Sequence, residues 1–64
     1  MLAADVWQEN VSVQIQDYGG NWLTVSSIWN NSQRISFELR SVKSRYPDRQ
    51  VRAVTKEGQL IDLL

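Results

Sequence analysis

Alternating apolar and polar residues dominate the first third of the chain. Val11, Val13 and Ile15 alternate with serine and glutamine, and this period of two is typical of a strand with one buried face. Residues 18–21, Tyr-Gly-Gly-Asn, predict a tight turn because glycine and asparagine tolerate the positive φ angles of hairpins. The stretch after the turn is rich in strand-forming residues. Positions 10–29 are therefore predicted to form a β-hairpin.

The register of this hairpin is predicted from keeping its apolar side chains on one face. Three central turn residues would place Ile15 opposite Val25 and Tyr18 opposite Trp22, whereas a two-residue turn would mix the faces. We prefer the first register, which also pairs Val13 with Ser27 and Val11 with Trp29. Its apolar face consists of Val11, Val13, Ile15, Leu23, Val25 and Trp29.

The next segment has the period of a helix. Four apolar residues recur there at spacings of four, three and four, which places them on one face of a helix. Asn31 or Ser32 would cap its start, and Pro47 would end it because proline disfavours the helical conformation in the residue before it. A helix is predicted over 31–46, with Phe37 on the side opposite the apolar face. The apolar residues are Ile35, Leu39, Val42 and Tyr46.

Positions 50–64 are predicted to form a second hairpin. One apolar stretch lies before and another after a Lys-Glu-Gly turn. Gly58 at the last turn position suits a type I turn with a G1 bulge. The expected pairs are Thr55 with Gln59, Val54 with Leu60, Ala53 with Ile61, Arg52 with Asp62, and Val51 with Leu63.

The elements follow the order ββαββ within one domain: a lead-in (1–9), a hairpin (10–29), a helix (31–46) and a hairpin (50–64). The simplest assembly is an α+β fold of two layers, a four-stranded antiparallel sheet with one helix packed across one face. The pattern leaves the strand order open. In the lead-in, Trp7 is expected to dock onto the body of the domain, with exposure to a partner as the alternative.

The composition argues against catalysis and metal binding. The chain has 64 residues and neither cysteine nor histidine, so it lacks disulfides, thiol nucleophiles and the imidazole on which zinc sites and general bases most often depend. The carboxylates are scattered, and no serine has an activating base nearby in the sequence. We predict that it is not an enzyme and has no catalytic, cofactor-binding or metal site. So small a domain is marginally stable, and of the usual supplements only oligomerisation remains open.

The sequence also predicts a cytoplasmic location. No apolar run approaches the roughly 20 residues that span a bilayer. The first residues, Met-Leu-Ala-Ala, lack the basic and apolar regions of a secretory signal.

Two groups of residues form a recognisable pattern. The first is Gly20-Asn21-Trp22 with Thr24-Val25, and the second is Arg45-Tyr46-Pro47-Asp48, Val51-Arg52-Ala53-Val54 and Gly58-Gln59-Leu60-Ile61-Asp62. In these residues the chain resembles small hypothetical proteins encoded by tailed phages and prophages. The resemblance covers about residues 11–63 and implies a phage accessory role, in the host cytoplasm, with no catalytic residue to transfer.

The neutral net charge conceals an uneven distribution. Residues 34–52 carry six basic and two acidic side chains, whereas the rest carries one basic and five acidic. One interpretation is a solvated helix surface with pairs such as Arg34 and Glu38. The other is contact with an anionic partner, although zero net charge argues against strong nucleic-acid binding. The candidate contacts for an anionic partner are Arg40, Lys43, Arg45, Arg49 and Arg52.

The last candidate contact residues are apolar side chains that no predicted helix or strand of the chain covers. The preferred register places Tyr18, Trp22 and Ile28 on the sheet face away from the helix, with Val54 and Leu60 of the second hairpin. Either residues 1–9 fold over that face, or a protein partner or a second copy does; stacking of nucleobases is a further alternative. Phe37 is either an isolated surface residue or an anchor for a second chain.

These features favour a small non-enzymatic protein that acts by protein–protein contact, including homodimerisation, through Tyr18, Trp22 and Phe37. The alternatives are a weak nucleic-acid-binding module and a minor structural component of a virion.

Overall fold

The computed structural model describes residues 10–64 and contains four strands and one helix. The strands form one antiparallel sheet in the order β2-β1-β3-β4, and the helix packs on one face of it. The predicted ββαββ order and α+β fold are confirmed. The docking expected for Trp7 lies outside the described residues. The elements are β1 (Asn10–Gln16), β2 (Trp22–Trp29), α1 (Ser32–Arg45), β3 (Val51–Val54) and β4 (Leu60–Leu63).

The helix α1 is one residue shorter at each end than predicted, because the terminal residues act as caps. The Asn31 side chain accepts a hydrogen bond from the Arg34 backbone N–H at 3.0 Å, which satisfies one of the unpaired donors of the first turn. At the other end the N–H of Tyr46 donates to the carbonyl of Val42 at 3.0 Å.

The core lies between α1 and the two central strands, β1 and β3. As predicted, one face of α1 is buried, and Tyr46 packs partly against the core. The buried cluster consists of Val11, Val13, Ile15, Ile28, Ile35, Leu39, Val42, Val51 and Ala53. We call the sheet face that contacts α1 the inner face and the opposite one the outer face.

The predicted register of the first hairpin is wrong because its loop lies one residue earlier than expected and because β2 contains a bulge. The Asp17 carboxylate accepts hydrogen bonds from the N–H groups of Gly19 and Asn21 at 2.9 and 2.8 Å. It thereby holds a loop of residues 18–20 in which Gly20 has a φ of 89°. The loop therefore begins one residue earlier than in the preferred alignment, which moves the partner of Ile15 by two residues, from Val25 to Leu23. The ladder then shifts by one residue where Val25 is left unpaired, so that Val13 pairs with Ser26, as the two-residue turn would have predicted. The observed pairs are Gln16 with Trp22, Ile15 with Leu23, Gln14 with Thr24, Val13 with Ser26, Ser12 with Ser27, Val11 with Ile28, and Asn10 with Trp29.

The bulge changes which side chains of β2 reach the core. Ile28, expected on the outer face, pairs with the buried Val11 and is only 6% exposed. Trp29, expected on the inner face, is 56% exposed and pairs with Asn10. The physical reason is that an extra residue reverses the facing of every residue beyond it. The predicted apolar face that included Val25 and Trp29 is therefore wrong.

The predicted pairs of the second hairpin are correct next to the turn and shifted by one residue beyond it. Gly58 has a φ of 88°, as the predicted turn requires, and the expected pairs of Thr55 with Gln59 and of Val54 with Leu60 are present. Ile61 then bulges out, so three expected pairs are wrong. The shift lets Leu64 join the ladder, through two backbone hydrogen bonds with Val51 of 2.7 and 3.1 Å. The observed pairs are Ala53 with Asp62 and Arg52 with Leu63, in place of Ala53 with Ile61, Arg52 with Asp62 and Val51 with Leu63.

Candidate interaction surface

Exposed apolar side chains concentrate on the two edge strands of the sheet. The central strands β1 and β3 lie beneath the helix and contribute most of the strand residues of the core. Among residues 10–64, the edge strands β2 and β4 have a neighbouring strand on one side only, and their side chains are correspondingly less covered. The large exposed apolar residues are Leu23, Val25 and Trp29 on β2, and Leu60, Ile61, Leu63 and Leu64 on and after β4, together with Tyr18 and Phe37 elsewhere.

A polar ladder crosses the outer face of the sheet. The Gln14 amide donates to the hydroxyl of Thr24 at 3.0 Å, and its carbonyl accepts from Nε of Arg52 at 2.8 Å. The guanidinium of Arg52 also lies 4.0 Å from the ring centroid of Trp22, a cation–π distance. Trp22, a predicted contact residue, is therefore half-buried and already engaged by its own chain on one ring face.

The turn of the first hairpin is tied to the loop between α1 and β3. The Tyr18 hydroxyl donates to the Asp48 carboxylate at 2.8 Å, and the Arg49 guanidinium lies 4.3 Å from the Tyr18 ring and 5.7 Å from the Tyr46 ring. The Tyr18 hydrogen bond, followed by a backbone hydrogen bond, lowers the pKa of Asp48 below its ordinary value of 3.8. Tyr18 remains exposed, so the ring face opposite Arg49 is open to a partner while the hydroxyl is oriented.

The three predicted contact residues do not form one patch. Trp22 lies on the outer face of the sheet, because it pairs with Gln16 next to the inward-facing Ile15. Phe37 is 64% exposed on the side of α1 that points away from the sheet. The sheet therefore separates Trp22 from Phe37.

The predicted basic contacts are also divided. Arg40 donates to the backbone and hydroxyl oxygens of Ser36 on α1, and Lys43 donates to the carbonyl of Arg49. Arg52 belongs to the outer face of the sheet, away from the helix. The sheet therefore separates Arg52 from Arg40, Lys43 and Arg45 on α1, so the five predicted basic residues do not all lie on one surface.

Sequence reasoning missed the exposed residues of β2, above all Leu23 and Trp29. The bulge determines which residues of β2 are exposed. Nothing in the local sequence pattern marks Val25 as the extra residue. An open depression of about 600 Å³ adjoins one end of the strand. Its lining residues are Trp29, Asn30, Asn31 and Arg34.

Two kinds of feature are absent from the described part of the chain. Residues 10–64 contain no group of three or more acidic residues placed to hold a metal ion. Within the same residues, α1 is too short and too polar to cross a bilayer.

Comparison with known proteins yields no relative: no family model, no curated protein and no solved structure matches this chain.

Proposed function

We propose that this chain is a small non-enzymatic binding protein that acts by protein–protein contact, in the phage or prophage accessory role that the sequence resemblance implies. The observation that supports the proposal is the apolar surface of the edge strands. Both edges expose large aliphatic or aromatic side chains, and an edge strand also offers unpaired backbone N–H and C=O groups to a partner.

The energetics of so small a domain favour this interpretation. Burial of apolar surface contributes about 25 cal/mol per Å², and a half-exposed tryptophan or leucine leaves much of that contribution unused. Contiguous apolar surface on a small protein typically marks a contact site. Backbone pairing along an edge would add hydrogen bonds that give such a contact its direction.

The proposal is tested by comparing the wild type with a Leu23→Ser/Trp29→Ser variant, and with Lys56→Ser in an exposed turn as the control. Sedimentation velocity over a range of concentrations reports self-association. Proteins captured from a host lysate are purified and titrated calorimetrically against the same three chains. We expect saturable association that the double variant weakens and the control retains. A wild type that neither self-associates nor binds any purified partner would contradict the proposal.

Binding to nucleic acid through Arg40, Lys43, Arg45, Arg49 and Arg52 stays a prediction. It requires a complex whose affinity falls steeply with salt, because bound cations displace counterions from phosphates. A mobility-shift assay at low ionic strength tests it. A role as a minor virion component would use the same protein contacts, and detection of the chain in purified particles would support it.

A further inference from the structure

The two edge strands differ in how well they are protected against pairing with another chain. Natural sheets protect their edges with short strands, charged residues, prolines and bulges. β4 has four residues and includes Asp62, whose carboxylate accepts the backbone N–H of Leu63 at 2.8 Å. β2 has eight residues, with neither charge nor proline among them. Of these devices, β2 shows only the bulge within the described residues.

The sequence of β2 is nearly the same in both directions. Read from either end of Trp-Leu-Thr-Val-Ser-Ser-Ile-Trp, it presents a tryptophan, then leucine or isoleucine, then threonine or serine. In an antiparallel pair of two such strands, Trp22 of one copy would lie opposite Trp29 of the other. Leu23 would lie opposite Ile28, and Thr24 opposite Ser27.

The bulge makes this pairing geometrically possible. Residues that lie opposite each other in a sheet must point to the same face, and in a regular strand Trp22 and Trp29 would point to opposite faces. Because Val25 is the extra residue, Trp22 and Trp29 both share the outer face with the residues they oppose on β1. The same register places Leu23 and Ile28 on the inner face, and Thr24 and Ser27 on the outer face. The strand is therefore self-complementary at six of its eight positions, and the bulged Val25 would lie opposite Ser26 at the centre.

We propose that two copies of this chain pair through β2, in antiparallel orientation, to form a continuous eight-stranded sheet with both helices on one face. The twofold axis would pass between Val25 and Ser26, perpendicular to the sheet. The contact is isologous, so it closes after two copies and does not propagate. This inference rests on the proposed function and names a second copy as the partner.

The strength of the contact follows from its size. Eight residues make a strand roughly 26 Å long. With side chains on both faces and a helix over one of them, the edge is about 20 Å tall, or about 500 Å² per chain. Specific interfaces begin at about 600 Å² per partner. We therefore expect a reversible dimer with a Kd in the micromolar range.

Two matched substitutions test which edge is used. Val25 and Ile61 are the bulged residues of β2 and β4, and they are 42% and 40% exposed. Val25→Lys would place two ammonium groups beside the axis and raise the dimer Kd about tenfold or more. Ile61→Lys adds the same charge to the other edge and should change the Kd less than about twofold. Sedimentation equilibrium gives the constants, and circular dichroism confirms that both variants are folded.

The register is tested with cysteines, which the natural chain lacks. We expect Thr24→Cys and Ser27→Cys proteins to form a disulfide when mixed under a mild oxidant, and each alone to remain unlinked. Only the mixture places two thiols directly opposite each other, and three residues along a strand is too far for one bridge.

Three results would overturn the inference. They are disulfides that form equally in each variant alone, a Kd that responds to Ile61→Lys and not to Val25→Lys, and a monomeric wild type at about millimolar concentration. The first two leave the proposed protein contact intact, because association persists through another surface. A monomer that also binds no other protein would contradict both.

Discussion

The edges of the sheet, β2 and β4, carry the same irregularity with different consequences. Each contains one bulged residue, Val25 or Ile61, next to a register shift. In β2 the bulge turns Ile28 into the core. It also places corresponding residues from the two ends of the strand, such as Trp22 and Trp29, on the same face of the sheet. In β4 it turns Asp62 to a position where its carboxylate binds the N–H of Leu63. A bulge by itself therefore neither protects nor exposes an edge, because the outcome depends on which residues it reorients.

The edges also differ in how they are attached to the rest of the molecule. Ser26 of β2 donates a hydrogen bond to the Glu38 carboxylate of α1 at 2.9 Å, and Thr24 belongs to the polar ladder of the outer face. The residues of β4 are all exposed. The edge that we propose as the dimer contact is therefore held to both layers of the fold, which reduces the ordering cost of association.

The largest expected effect comes from deleting one residue either from the bulged strand β2 or from the regular strand β1. Removing Val25 closes the bulge without changing any pair of the observed register, so the variant should remain folded. Removing Gln14 from the regular strand β1 reverses the facing of Val11 and Val13 relative to Ile15. Each displaced valine forfeits about 1.5–3 kcal/mol of burial, out of a typical total of about 5–15 kcal/mol, so this variant should be largely unfolded. Urea titration followed by circular dichroism measures both. A similar loss in the free energy of unfolding for both variants would show that Val25 is not the extra residue of β2.

The bulges mark the limit of what the sequence could predict. Local signals sufficed for both hairpins, the helix and its Asn31 cap, and the positive φ of Gly58, because capping, turn chemistry and periodicity depend on neighbouring residues. Whether Ile28 or Trp29 faces inward depends on the shape of the core beneath α1, which the local pattern does not contain. Strand order likewise depends on β1 pairing with β3 far along the chain. The exposure of β2 and the ladder partner of Arg52 both follow from the register, so these features were missed.

The next effect concerns the protection of β4. Replacing Asp62 by alanine removes both the charge and the acceptor for the Leu63 N–H. We expect β4 then to pair between copies and, with β2 already paired, to generate assemblies larger than a dimer. Asp62→Asn keeps an acceptor oxygen and should associate less, and Glu57→Ala removes an equal charge from the adjacent turn as the control. Light scattering at matched concentrations ranks the three. If Glu57→Ala assembles as readily as Asp62→Ala, net charge and not edge protection is responsible.

A smaller effect is expected from disrupting the outer-face ladder. This ladder includes Thr24 on the edge strand β2. On the other side it ends at Arg52 of β3, which lies opposite the apolar Leu63 of β4. Gln14→Ala removes two side-chain hydrogen bonds, each contributing about 0.5–1.5 kcal/mol, and should lower the free energy of unfolding by about 1–2 kcal/mol. Gln16→Ala on the same face loses a single bond, to the Gly20 carbonyl at 3.2 Å, and should cost about half as much. Urea unfolding curves compare the two variants, and equal losses would argue against a cooperative ladder.

The smallest effect distinguishes the two hairpin turns. Tyr18 ties the first turn to Asp48, whereas Lys56, Glu57 and Gly58 of the second turn are exposed. Because the folded state lowers the pKa of Asp48, the bond stabilises the fold above the carboxyl's unfolded pKa and is lost as pH falls through the folded pKa. Tyr18→Phe should raise the Asp48 pKa toward 3.8, and Tyr46→Phe, which leaves that hydroxyl in place, should not. Carboxyl resonances followed by NMR between about pH 2 and 6, a range that brackets an ordinary aspartate, measure the shift. An Asp48 pKa that does not respond to loss of the Tyr18 hydroxyl would mean that the first turn is no better anchored than the second. The attachment of β2 would then depend on its pairing with β1, on Ser26 and on the outer-face ladder.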